Sequence, residues 1–240
     1  MKFKDLREFI AFLENKGELR RITTPVSWDL EISEIADRMV KQGGPALLFE
    51  NVTGYDIPVL INMYGSEKRM AWALGVEHID ELVDRFQGLL GLIHGPPEGL
   101  LNKMRTLGQL VHLGSFQPKT VSRAPCQEVV LKDGEVDLFQ LPIIKCWPMD
   151  GGRYITLPLV ISRDPETGIQ NYGTYRMQVF DNKTTGMHWQ THKVGTRHYR
   201  MNQEKGITRM DVAVALGGAP ATIWTGSAPL PPDMDEMAVA

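Results

Sequence analysis

Two stretches in the last third of the chain hold the residue types that do chemistry: Gln170-Asn171-Tyr172-Gly173-Thr174-Tyr175-Arg176 and His188-Trp189-Gln190-Thr191-His192-Lys193. A carboxamide, a guanidinium, two imidazoles and an ammonium set among aromatic rings can hold a cation, bind an anion or move a proton. A hairpin that only had to fold would need one apolar face and none of these groups. β-Branched and aromatic content predicts strands for both stretches, the first running on through Met177-Gln178-Val179-Phe180, with Asp181 to Gly186 turning the chain back. On the second strand His188, Gln190 and His192 share one face and Trp189, Thr191 and Lys193 the other, so position 192 can act as a ligand while Trp189 packs. Asn171 and Arg176 are an odd number of residues apart. A bulge at Gly173 is therefore expected, since it brings both into one pocket.

Each residue also has a plainer reading. A histidine in a sheet is more often hydrogen-bonded scaffold than ligand, Asn171 by itself is a turn or edge amide, and Glu236 by itself is a helix cap. Charge points the same way as chemistry. The net charge of the chain is -3, yet the window from Gln170 to Arg209 carries seven Lys and Arg against Asp181 and Glu204. An anionic ligand such as a phosphate or carboxylate is drawn to such a region, whereas the overall sign argues against nucleic acid as a partner. The bland alternative for Arg200, Lys205 and Arg209 is a solvated basic face.

These residues need a scaffold, and 240 residues suffice for one large or two small domains. No apolar run approaches the roughly 20 residues that span a bilayer, and the N-terminus runs into an amphipathic helix without a signal-peptide core, so a cytoplasmic protein is expected. Cys126 and Cys146 lack metal-ligand spacing and read as buried thiols. Helices are expected over Asp5 to Lys16, around Ile32 to Val40, from Ser66 through Ala73, and over Ile79 to Ile93 and Glu98 to Leu113. Strands are expected at Leu19 to Ile22, Ala46 to Phe49 and Ile57 to Ile61. Near Thr120 the texture changes to short strands from Val129 onward, including Asp211 to Leu216 and Ala221 to Trp224. The expected class is α+β: an N-terminal α/β domain over 1–120 and a barrel or sandwich over 121–240. Asp233 and Glu236 form a helix-start signature with only about two turns of chain after it, which reads as truncation.

In its ordered motifs the chain resembles the N-terminal portion of the UbiD family of prenylated-FMN-dependent decarboxylases, the group that includes polyprenyl-4-hydroxybenzoate decarboxylase. The likeness rests on Asp5-Leu6-Arg7-Glu8-Phe9, Gly43-Gly44-Pro45-Ala46-Leu47-Leu48-Phe49-Glu50-Asn51, Ala124-Pro125-Cys126-Gln127, Cys146-Trp147-Pro148, Gln170-Asn171 to Arg176, and Pro229 to Ala240. It implies a split β-barrel of flavin reductase-like type, left incomplete here. It further implies that Asn171, His192 and Glu236 hold Mn2+, which bridges to the cofactor phosphate; oxygen and imidazole donors suit that ion. Thr174, Tyr175, Arg176, His188, Trp189, Gln190, Lys193 and Val194 correspond to segments lining the prenylated FMN, with K+ nearby.

By resemblance the activity is a carboxy-lyase reaction, reversible non-oxidative decarboxylation of an aromatic or α,β-unsaturated acid. A polyprenyl-4-hydroxybenzoate of ubiquinone or menaquinone synthesis is one example. Arg176 orients the substrate carboxylate, a flavin prenyltransferase supplies the cofactor, and a prenylated substrate would bring the protein to a membrane surface; self-association is compatible with the family. The family's proton-donating glutamate falls beyond Glu236, so the 240 residues alone are expected to be inactive. His188 and Lys193 stand where the ubiquinone enzyme has arginines, which leaves the substrate open. One rival is a non-catalytic flavin- or metal-binding fragment or accessory subunit. Another is a hydride-transferring flavin reductase-type barrel, disfavoured by the lack of a G-x-G-x-x-G fingerprint.

Overall fold

The first helix starts and stops for local reasons. The Asp5 carboxylate accepts the Glu8 backbone N–H at 3.0 Å, opening α1 (Leu6–Asn15). Gly17, at φ +71°, ends it, and the Glu18 N–H returns to the Leu13 carbonyl at 2.8 Å. The computed structural model describes residues 2–84, 87, 120–228 and 236–239. In chain order β1 (Leu19–Ile22), α2 (Glu31–Lys41), β2 (Ala46–Phe49), β3 (Val59–Ile61) and α3 (Glu67–Ala73) follow, the last capped by Ser66. β2 lies between a parallel β1 and an antiparallel β3 and is buried along its whole length, which is why it reads Ala-Leu-Leu-Phe without alternation. A helical turn covers 80–84; the rest of the helix expected from Ile79, and the one expected over Glu98 to Leu113, lie outside the described residues.

Six further strands make two sheets. β4 (Tyr154–Ile155), β7 (Met177–Val179) and β8 (Thr185–Met187) form one, in the order β4-β7-β8. β5 (Pro158–Arg163), β6 (Gln170–Thr174) and β9 (Ala213–Leu216) form the other, in the order β6-β5-β9. Three further α-helices are α4 (Val194–Glu204), α5 (Pro220–Thr225) and the short α6 (Glu236–Val239), and where strands were expected from Val129 the chain instead makes 3-10 turns at Asp133–Glu135 and Leu138–Gln140 before β4. The result is a mixed α/β protein with several small sheets. The expected barrel is not closed among the described residues, because no strand of either sheet pairs with a strand of the other.

Three expectations about local structure are corrected. The stretch 170–180 is not one strand: β6 and β7 belong to different sheets, and the chain crosses between them at Tyr175 and Arg176. Residues 188–193 are loop and turn, and only Thr185–Met187 pairs with β7. Ala221 to Trp224 is helical, with Pro220 at the first helical position, where a missing N–H costs nothing. Among the described residues no helix is long and apolar enough to cross a membrane. Cys126 is exposed and Cys146 half-buried, so neither is a fully buried thiol. Burial and the charge of Asp150 push the Cys146 thiol up from its ordinary pKa.

The core runs across the sequence midpoint. Ile223 of α5 packs with Phe9, Leu13, Ala46 and Trp72, and Ile144 packs with Val26, Ile32, Leu47 and Phe49. The Tyr64 hydroxyl also donates to the Pro220 carbonyl at 2.7 Å.

The β5–β6 turn depends on one carboxylate. Asp164 Oδ1 accepts the N–H groups of Glu166 at 2.8 Å and Thr167 at 3.0 Å. The Thr167 N–H is the main cause holding this carboxyl below its usual range, against the opposing effect of burial, with Glu166, His198 and Arg197 adding to it. A lowered folded-state pKa means stability that is complete above the unfolded value of about 3.9 and is lost as pH falls through the folded value. Urea midpoints are expected to be level from pH 7 to about 5 and to decline below about 4. Asp164→Asn, which keeps the acceptor but cannot titrate, should flatten that decline. An unchanged acid limb in the variant would show that other groups govern it.

Candidate functional site

Asn171 sits in β6 directly opposite Ser162 of β5, and both are buried, at 6% and 2% exposure. Asn171, Gly173 and Tyr175 follow strand alternation toward one face. Tyr175, the residue just past β6, folds its ring back over Gly173, where a Cβ would lie 2.4 Å from ring atoms. That close approach, rather than a bulge, explains the glycine: the ladder is regular through Val160–Gly173 and Leu159–Thr174. The Tyr175 hydroxyl accepts the Asn171 Nδ2–H at 3.3 Å and the Gly195 backbone N–H at 3.2 Å. One phenol therefore links the buried carboxamide to the head of α4.

Glu236 arrives from far along the chain, its Oε2 accepting the Tyr172 N–H at 3.0 Å on the side of β6 away from β5, next to Asn171 in sequence, while the Gly226 carbonyl takes the Thr174 N–H at 2.7 Å. His192 lies exposed in the turn that leads into α4, with Lys193 as the helix N-cap and no side-chain cap present. The loop before it is tied to the helix: Thr196 Oγ1 donates to the Gln190 carbonyl at 2.7 Å, and the Lys193 N–H to the same carbonyl at 3.0 Å. Trp189 stands edge-on to Tyr175 with centroids 6.2 Å apart, and its buried Nε1–H has no partner among the described residues. A Cβ at Gly195 would lie 2.9 Å from that nitrogen. Among the described residues no three His, Cys, Asp or Glu side chains come together as a metal site; the candidate set takes one of its three groups from a carboxamide.

Arg176 is exposed at the crossing between the two sheets, its guanidinium 5.0 Å from the centre of the Tyr154 ring, while its carbonyl accepts the His188 N–H at 2.9 Å. It thus faces the β4-β7-β8 side, and Asn171 the face covered by α4. His188 and Gln190 are exposed, and Thr174 and Val194 half-buried. A cavity of about 620 Å³ opens beside Tyr154, between β3, residues 141–144 and β4, with mostly apolar walls.

Sequence reasoning missed the α4 contribution. His198 and Asn202 are buried polar residues on its inner face with Gly195, a stripe visible as 195, 198, 202. Reading 188–193 as a strand hid the helix that follows it.

Gly173→Ala should drive the Tyr175 ring off its position and break both of its hydroxyl bonds. Overpacking of this kind costs about 1–3 kcal/mol, read as a fall in urea midpoint. An unshifted midpoint would mean that Tyr175 repacks freely.

The chain matches the 3-octaprenyl-4-hydroxybenzoate carboxy-lyase N-terminal domain over residues 10–86 and the Rift-related domain of the same carboxy-lyase over 119–240. It belongs to the UbiD family. An uncharacterized protein of Archaeoglobus fulgidus is 51% identical over 240 residues, which are 100% of this chain and 48% of that protein. Vanillic acid decarboxylase of Sedimentibacter hydroxybenzoicus in its closed form superposes with a TM-score of 0.80 at 27% identity, over 98% of this chain and 47% of that one. The UbiD-class enzyme HmfF of Pelotomaculum thermopropionicum, in a dimeric form in complex with prFMN, gives a TM-score of 0.79 at 26% identity, over 98% and 50%. The chain spans about half the length of the curated relatives it matches.

Proposed function

We propose that this chain supplies the cofactor-holding part of a cytoplasmic prenylated-FMN-dependent carboxy-lyase that removes CO2 reversibly from an aromatic or α,β-unsaturated acid. The observation that supports the reading is the Tyr175 hydroxyl bridge, which ties Asn171 to Gly195 at the head of α4, the helix that follows the His192 turn, while Glu236 bonds the N–H of Tyr172, the residue after Asn171. The donor set fits the group. A carboxamide, an imidazole in an exposed turn and a carboxylate suit Mn2+, and the Trp189 Nε1–H, which has no partner among the described residues and lies beside the N-terminal end of α4, suits an anionic cofactor. In the proposal Asn171, His192 and Glu236 would hold Mn2+, with K+ as a further cation, and Thr174, Tyr175, His188, Trp189, Gln190, Lys193 and Val194 would line the flavin. The prenylated flavin, when bound, supplies the electron sink for the pair released with CO2.

The chain's own residues bind and orient. Arg176 grips the substrate carboxylate in bidentate fashion, its guanidinium plane supported by the Tyr154 ring. The Tyr154 hydroxyl in turn donates to Gln178 Oε1 at 2.9 Å, which fixes the ring. The β4-β7-β8 and β6-β5-β9 sheets belong in this reading to a split barrel. Its further members would cover β9, where Val212, Val214 and Leu216 lie exposed along an edge. The same exposed edge favours a second reading, a flavin- and metal-holding unit that acts only beside further polypeptide. CO2 release from a panel of hydroxybenzoic and cinnamic-type acids is expected to be absent for the 240 residues alone; turnover by them would exclude the second reading and place the general acid within these residues.

The deciding experiment is co-expression with a flavin prenyltransferase followed by mass spectrometry and metal analysis of the purified protein. Prenylated FMN with Mn2+ is expected. Recovery of protein carrying neither flavin nor Mn2+ would overturn the reading.

A further inference from the structure

We propose that His198 is a positioning residue, locking the rotation of α4 on the β5–β6 pair so that the turn carrying His192 faces Asn171 and Glu236. The inference rests on the reading of those three residues as the metal set. His198 and Ser162 are each 2% exposed, and Ser162 Oγ lies 3.0 Å from His198 Nδ1. On the other side of the ring Asp164 Oδ2 stands 3.9 Å from Nε2. The bond between Nδ1 and the Ser162 hydroxyl can form in either tautomer, since the hydroxyl can donate or accept. Ser162 is the cross-strand partner of Asn171, which places the imidazole anchor beside the candidate ligand itself.

A second anchor lies one turn earlier, where the Gly195 N–H donates to Tyr175, the phenol that also receives Asn171. Residues 195 and 198 are three apart and therefore lie on one face of the helix. Two bonds at that spacing fix both the height and the rotation of α4, which one bond could not. The Asn202 Nδ2–H closes back on the His198 carbonyl at 2.8 Å, stiffening the same turn. Because Gln190 and Lys193 are bonded into the head of α4, and Arg200 Nη2 reaches the Thr191 carbonyl at 3.4 Å, the His192 turn moves with the helix. Burial of Ser162 and His198 excludes them from contact with substrate, so the part they play is orientation and not nucleophilic attack.

The test compares His198→Phe, Ser162→Ala and His198→Asn in the purified chain. Asparagine can place a side-chain acceptor close to the position of Nδ1 and so keep the bond to Ser162, whereas phenylalanine cannot. Two readouts are taken: amide hydrogen exchange over 188–195 without metal, and Mn2+ titration followed by the nitrogen couplings of the bound ion in pulsed electron paramagnetic resonance. His198→Phe and Ser162→Ala should raise exchange and weaken Mn2+ binding by about tenfold, roughly 1.4 kcal/mol, while His198→Asn stays within about threefold. The imidazole coupling, identified by its loss in His192→Ala, should fade in His198→Phe and persist in His198→Asn. Wild-type behaviour in all variants overturns the proposal, as does equal loss in all three spread over every amide, which marks ordinary core residues. If His198→Phe fails to fold, the smaller Ser162→Ala change decides. Should the wild type take up no Mn2+, the metal reading fails, and exchange at 188–195 alone still decides whether His198 anchors this segment.

Discussion

Replacing Asn171 and Glu236 together by alanine should leave the protein, co-expressed with a flavin prenyltransferase, without flavin absorbance and without tightly held Mn2+. In the proposed site both residues would hold the cation on which cofactor retention depends. Changing a partner that only orients a ligand typically costs about 10- to 100-fold in metal affinity, so removing two ligands should exceed the upper end of that range. Structure supplies the control. Glu236 also accepts the Tyr172 N–H at the edge of β6, and Asn171 donates to Tyr175, so alanine removes two structural bonds as well. Glu236→Gln keeps an acceptor for Tyr172 and loses the charge; it should therefore preserve the thermal midpoint better than Glu236→Ala while still weakening the metal. If flavin occupancy survives the double alanine change, the metal bridge is wrong.

The largest stability effect is expected far from this site, at Glu18. Arg69 on α3 is 1% exposed and donates from Nη1 to Glu18 Oε2 at 2.7 Å, and its Nε and Nη2 find no partner among the described residues. Lys68 reaches the other carboxylate oxygen at 3.3 Å. Burial raises the Glu18 carboxyl, but the bonds from Arg69 and Lys68 outweigh it and hold the group below its ordinary value. Glu18→Ala would leave a guanidinium in the interior with no counter-charge, a change that costs about 3–5 kcal/mol. For a chain of this size that corresponds to a fall in Tm of roughly 6–20 °C. Adding Arg69→Met should recover much of the loss, since an apolar side chain of similar volume has no charge to strand. A fall of less than about 2 °C for Glu18→Ala would mean that water reaches Arg69.

The sequence by itself determined what is local. Asp5 and Ser66 cap their helices, Gly17 ends α1, and the uninterrupted apolar run of β2 marks a strand buried on both faces, because each signal acts within a few residues of backbone. The chemistry-bearing residue types of the candidate site were legible in the same way, since a carboxamide or an imidazole is itself whatever the fold. Tertiary structure alone decided where they point. Residues 170–180 have the composition of one strand, but the chain leaves one sheet for another at Tyr175, where the ring finds its partners on α4 and over Gly173. Ala221 to Trp224 has the β-branched and aromatic texture of a strand, yet it coils as α5 because Ile223 is buried against Phe9 and Leu13, more than 200 residues earlier. The polar helix α4 shows no apolar stripe, as its inner face is held by His198, Asn202 and the Gly195 N–H. Bonds between residues distant in sequence leave no periodic trace in either segment, and for that reason only the folded chain reveals them.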